Sequence, residues 1–144
     1  MVLPNAVMLG EVSRMLSEGH SVVIMTKGNS MLPFIVGERD SVELIKKDSY
    51  GIGDIVLAQV AEGHWVLHRL VGMDGESVTL KGDGNLIGTE KCRLQDIAGS
   101  VRTIIRPKKK VDCGTAVFAS RSERWRALPY TLRRIVLGIF RRLI

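Results

Sequence analysis

Three residues capable of hydrolytic chemistry stand far apart in this chain of 144 residues. The first is Ser30, in Gly28-Asn29-Ser30-Met31-Leu32-Pro33. An apolar run over residues 21–27 leads into a glycine turn, the hydroxyl follows, and a proline comes three residues later. Such a turn presents a hydroxyl on a rigid corner where it can act as a nucleophile, although a serine in a turn is also simply a turn former. The second is His68, within the apolar run 64–71. Strand alternation sets its ring on the same face as Val66 and Leu70. Apolar neighbours favour the neutral imidazole that a general base needs, and a satisfied core histidine has the same surroundings.

The third is Asp83, reached through hairpin register. If Asp74-Gly75 is a two-residue turn, Met73 pairs with Glu76, His68 faces Lys81 and Val66 faces Asp83. Paired residues share a face, so Asp83 becomes the diagonal neighbour of His68. A carboxylate there fixes the imidazole tautomer and offsets the charge that develops on the ring, as the third member of a triad does. Lys81, opposite His68, is a competing base, and a bulge at Gly82 would shift the register by one. Asp83 in Gly-Asp-Gly-Asn also fits an ordinary turn residue.

The elements that must hold these groups read as mostly β structure. Residues 5–18 form a short helix, with Asn5 as its cap and Gly19 ending it. Short apolar runs follow at 21–27, 41–45, 54–60, 64–71, 77–81 and 97–105. Turn formers separate them, at Gly51-Ile52-Gly53, Ala61-Glu62-Gly63 and Asp74-Gly75, and spell two consecutive hairpins. Pro107 and the lysines at 108–110 are expected to end the sheet, and a polar linker leads to a tail helix. The expected fold is a mainly β, antiparallel domain over residues 1–120 with a short N-terminal helix, then a C-terminal amphipathic helix over 121–144.

Composition agrees with a folded chain. It is 45% hydrophobic and 25% charged, which excludes wholesale disorder. Cys92 and Cys113 supply neither a disulfide framework nor a zinc cluster. No apolar run reaches 18 residues, and the opening Met-Val-Leu-Pro-Asn lacks the basic and apolar regions of a secretory signal. The net charge of +6 lies wholly in the tail, where seven Arg stand against Glu123 and the rest of the chain balances. A neutral body with one basic helix fits nucleic-acid binding poorly. In that tail Leu128, Leu132, Ile135, Val136, Ile139, Phe140 and Leu143 recur at helical spacing, with Arg133, Arg134, Arg141 and Arg142 opposite and Pro129 near the first turn. This stripe either docks on the domain's own core or lies on an anionic membrane.

Four boxes in order carry a resemblance: Gly28-Asn29-Ser30-Met31-Leu32-Pro33, Gly53-Asp54-Ile55-Val56, Val66-Leu67-His68-Arg69-Leu70 and Lys81-Gly82-Asp83-Gly84-Asn85. Over residues 21–105 the chain resembles the S24/S26 serine peptidases, the superfamily of signal peptidases and LexA-like self-cleaving repressors. The resemblance implies Ser30 as nucleophile. It implies His68 as base, in the position where bacterial signal peptidases and LexA-like proteins carry Lys and the archaeal and endoplasmic-reticulum signal peptidases carry His. It also implies Asp83 as a catalytic-site residue. Gly28 stands where a serine often helps to form the oxyanion hole, and Asn29 replaces a glycine, so the hole would rest on the Ser30 N–H and Asn29. A second acidic residue expected after Lys-Gly-Asp has no clear match; Thr89-Glu90 falls nearby. The function so implied is a serine endopeptidase needing no cofactor or metal, acting on an extended peptide or protein substrate. The alternative is a peptide-binding or membrane-peripheral module that kept the fold without the activity. A cytoplasmic location, peripheral to the membrane if the tail docks there, is consistent with both.

Overall fold

Apolar residues spaced three and four apart make the first element a helix. The structure, a computed structural model, describes residues 6–144. Helix α1 (Ala6–Ser17) buries Leu9, Val12 and Leu16, while Arg14 bridges Glu11 and Glu18 on the outer face. Gly19, at φ +91°, takes the left-handed conformation that stops it. The cap expected at Asn5 lies outside the described residues.

The strands are β1 (Val22–Met25), β2 (Ser41–Ile45), β3 (Ile55–Ala61), β4 (His64–Asp74), β5 (Ser77–Lys81), β6 (Glu90–Arg93), β7 (Ile97–Ile105) and β8 (Lys110–Asp112). They form one antiparallel sheet in the order β1-β2-β7-β3-β4-β5-β6, with β8 beside β7. Strand β7 is the spine: β2 lies along one edge, and β3 then β8 along the other. The six expected strands are present, and β6 and β8 are additions. The sheet does not end at Pro107. The Arg106 N–H donates to the Lys109 carbonyl across a tight reversal, and residues 110–112 return to pair with 103–105.

Strand β3 shows how the core is divided. Ile55 and Leu57 join α1 and Phe118 in one apolar cluster, while Val56 packs with Leu70, Val78 and Leu80 on the other face. A strand buried on both faces needs a continuous apolar run rather than alternation, which is what residues 55–58 supply.

The tail departs from the expected single helix. Helix α2 (Ala116–Ala127) begins before residue 121, capped by Thr115, whose side chain accepts from the Phe118 N–H at 3.2 Å. Pro129 ends this stretch, because proline lacks an N–H and disfavours helix at the residue before it. Helix α3 (Tyr130–Leu143) then starts afresh. The division expected at 120/121 therefore falls inside α2. Trp125 and Leu137 are buried against Leu32 and Val36, so both tail helices pack on the loop that carries Ser30.

Candidate active site

Beyond β1 the chain turns at Gly28, which adopts φ +78°, a conformation open to glycine at little cost. A compact turn follows. The Leu32 N–H donates to the Asn29 carbonyl at 3.2 Å, and the Phe34 and Ile35 N–H groups both donate to the Met31 carbonyl at 3.0 Å. The Leu32–Pro33 peptide bond is cis. Among the described residues the N–H groups of Ser30 and Met31 have no partner, which leaves them free to donate to a developing oxyanion.

Gly82-Asp83-Gly84 lies directly beneath this turn. The Gly84 N–H donates to the Ser30 carbonyl at 2.8 Å. A Cβ on Gly84 would sit 2.6 Å from the Asn29 carbonyl oxygen, and one on Gly82 would run into the Ser30 carbonyl. The two glycines are thus required by close backbone approach.

Asp83 is not the partner of His68. Its carboxylate takes Arg69 in a two-point contact, Nη2 to Oδ2 at 2.6 Å and Nε to Oδ1 at 3.2 Å, with both side chains almost fully buried. Arg69 Nη1 also donates to the Gly53 carbonyl at 2.9 Å, and its guanidinium stacks within 5.1 Å of Phe34 and 5.6 Å of Phe118. The Asp83 backbone ties in two more segments: its N–H meets Met31 Sδ at 3.4 Å, and its carbonyl accepts from Trp125 Nε1 at 3.0 Å. Asp83 is a buried junction under the Ser30 turn.

The cause of this correction is register. The hairpin turn is Gly75-Glu76, with Asp74 paired to Ser77, and the pairing shifts again between Leu70 and Gly72. Arg69, not His68, therefore stands opposite Lys81. A one-residue slip exchanges the two faces of a strand, so the residue beside His68 receives the aspartate. Lys81 is not a rival base: its Nζ donates to the Leu86 carbonyl at 3.3 Å, and it borders a small hollow with Gly82 and Asp83 away from Ser30.

Glu90 takes the place expected of Asp83. Its Oε1 lies 2.5 Å from His68 Nδ1. A carboxylate can only accept, so this contact takes the Nδ1 proton, and in the neutral ring Nε2 is then the basic nitrogen. His68 and Ser30 line one cleft of about 140 Å³ between the end of β1 and β4. Thr26 and Gly28 form its polar margin, and Met31 and Trp65 contribute apolar wall. Asn29 does not line this cleft; it borders a neighbouring groove with the end of α3. A nucleophilic hydroxyl, an oriented imidazole and unpaired N–H groups at one cleft can perform acyl transfer.

No family model matches this chain, and no curated protein matches its sequence. Two residues of the site escaped the sequence reading. Glu90 belongs to Glu-Lys-Cys-Arg, a polar segment with one buried residue, Cys92, and too little apolar alternation to mark a strand. Its proximity to Lys-Gly-Asp was the one available signal. Arg69 was visible only as the residue after His68, and its role emerges once the register is known.

Proposed function

We propose that the chain is a serine endopeptidase of the signal-peptidase-like type, with Ser30 as nucleophile, His68 as general base and Glu90 as the residue that positions it. One observation carries the reading: Ser30 and His68 share a cleft, and Nδ1 of His68 meets a carboxylate. In the reaction Ser30 Oγ attacks the peptide carbonyl carbon while His68 Nε2 takes its proton. The oxyanion of the tetrahedral intermediate accepts from the Ser30 N–H. His68 then protonates the leaving amine, and water, deprotonated by the same nitrogen, releases the acyl group from Ser30. The substrate lies extended beside β1, an edge strand whose end leads into the Ser30 turn, with an apolar side chain in the cleft. The ordered Ser, His-Arg and Lys-Gly-Asp boxes support the same family, with Glu90 in the orienting role.

A binding module on this fold is the second reading, and one observation favours it: Ser30 Oγ makes no hydrogen bond to His68 among the described residues. Unliganded sites commonly close such contacts only around substrate. Labelling by a fluorophosphonate, which requires an activated serine, decides between the two. The peptidase reading expects labelling of the parent chain, and its loss in both Ser30→Ala and His68→Ala. An unlabelled parent chain, or undiminished labelling of Ser30→Ala, refutes it.

A further inference from the structure

We propose that the outer face of α3 docks on the surface of an anionic lipid bilayer. The helix is held to the protein by Leu137, fully buried, with Arg133 and Phe140 half-buried beside it. Most of the apolar stripe read from the sequence faces elsewhere. Leu132, Ile135, Val136, Ile139 and Leu143 are between 37% and 78% exposed. At 3.6 residues per turn these five span about 100° of the helix circumference. Exposed Arg142 borders that arc beside Ile135, whereas exposed Arg134 lies about 100° beyond Ile135, on the side away from the arc.

Charge decides which surface covers this face. Helix α3 contains four arginines and no acidic residue. A second copy packed helix to helix would bring two sets of arginines to one contact with no carboxylate in either helix to offset them. Lipid phosphates and serine headgroups supply the anions that the helix lacks, while the acyl boundary takes the five aliphatic side chains. The helix lies along such a surface rather than through it. Its 14 residues reach only about 21 Å, against about 30 Å of hydrocarbon. Among the described residues no helix is long and apolar enough to cross a membrane. Leu143 and Ile144 share a groove with Gly28 and Asn29, so docking sets the Ser30 turn close to the bilayer.

The test is co-sedimentation of the full chain with vesicles of phosphatidylcholine alone and of phosphatidylcholine mixed with phosphatidylserine. Binding is expected to the mixed vesicles and to weaken with added salt. Arg134→Gln with Arg142→Gln should weaken it at least about fivefold, the share of Arg142 at the edge of the arc. Ile135→Ser with Ile139→Ser should weaken it by at least about tenfold. All four side chains are exposed, so thermal melts of both double variants should match the parent. Absence of binding to mixed vesicles overturns the proposal, as do equal binding to both vesicle types and undiminished binding by either double variant. A dimer dissociated by Ile135→Ser with Ile139→Ser, without vesicle binding, assigns the face to a second copy instead. Vesicle binding is read without hydrolysis, so this proposal and the Ser30 reading can fail separately.

Discussion

Exchanging Asp83 and Glu90 each for its amide separates a structural acid from one that serves His68. In Asp83→Asn the Arg69 guanidinium keeps its stacking rings and the Gly53 carbonyl but loses its counter-charge, with the two side chains only 1% and 3% exposed. Removing one partner of a buried ion pair costs about 3–5 kcal/mol, and the low end applies because an amide oxygen can still accept one bond. Unfolding entropy of about 2.1 cal/mol/K per residue gives about 0.3 kcal/mol/K for 144 residues, so the melting midpoint should fall by about 10 °C. Glu90 is more open, its side chain 28% exposed, and Glu90→Gln loses one charge-assisted bond. That costs about 1 kcal/mol, or about 3 °C. Its main effect is on rate: without a carboxylate to fix the Nδ1 proton, His68 activation of Ser30 should drop on the order of 10²–10⁴-fold. The assays are thermal melting and the rate of fluorophosphonate labelling, the latter measured well below the lowered midpoint. Full-rate labelling of Glu90→Gln, together with lost labelling and an unchanged melt in Asp83→Asn, would return the orienting role to Asp83 and refute the register described above.

Gly84→Ala places a methyl 2.6 Å from the Asn29 carbonyl oxygen, a backbone atom without freedom to move aside. It should cost about 1–3 kcal/mol in melting experiments and slow Ser30 labelling, and an unchanged labelling rate would show that the turn is not held from below. Gly138→Ala, in α3 with open space around it, should instead stabilise by up to about 1 kcal/mol; a destabilised variant would contradict the exposed placement of that helix face. Burial pushes the Cys113 thiol up to about 12, so iodoacetamide at pH 8 should modify it only after unfolding, and rapid modification of the native chain would contradict its packing. Because the folded value is raised above the unfolded one, this contribution to stability is complete below about pH 8.5 and is lost as pH rises towards 12.

Patterning made the helix α1, six strands and the Ser30 turn legible, because each is marked by its own period or by a glycine. Strands β6 and β8 are short and polar, and they exist because β5 and β7 offer them unpaired edges, a tertiary cause that no local pattern records. The stripe at 128–143 was legible as a helix, but its buried side was not. The half-buried residues include Arg133, and Leu137 carries the docking while Ile135 and Ile139 face outward. Periodicity identifies an apolar face; it does not say what covers it. At the site, Ser30 and His68 stand out by type and setting, Asp83 depends on counting residues around a hairpin, and Glu90 is marked only by following Lys-Gly-Asp. The turn lies one residue later than the Asp74-Gly75 pair suggests and the pairing shifts beside Val71, which together move Asp83 from the face of His68 to that of Arg69.

His68 and Arg69, side by side in β4, meet different carboxylates, Glu90 and Asp83. Successive residues of a strand point to opposite faces, so one dipeptide delivers an imidazole to the cleft and a guanidinium to the packed interior behind it. A buried ion pair adds little stability over apolar residues of the same volume, so what Arg69 and Asp83 contribute is position. They join β4, the Gly53 turn, the Gly82–Gly84 segment and, through Phe118 and Trp125, helix α2. The Gly84 N–H then fixes the Ser30 carbonyl from the same junction. The hydroxyl and the imidazole are thereby located by one junction, although 37 residues separate them in the chain.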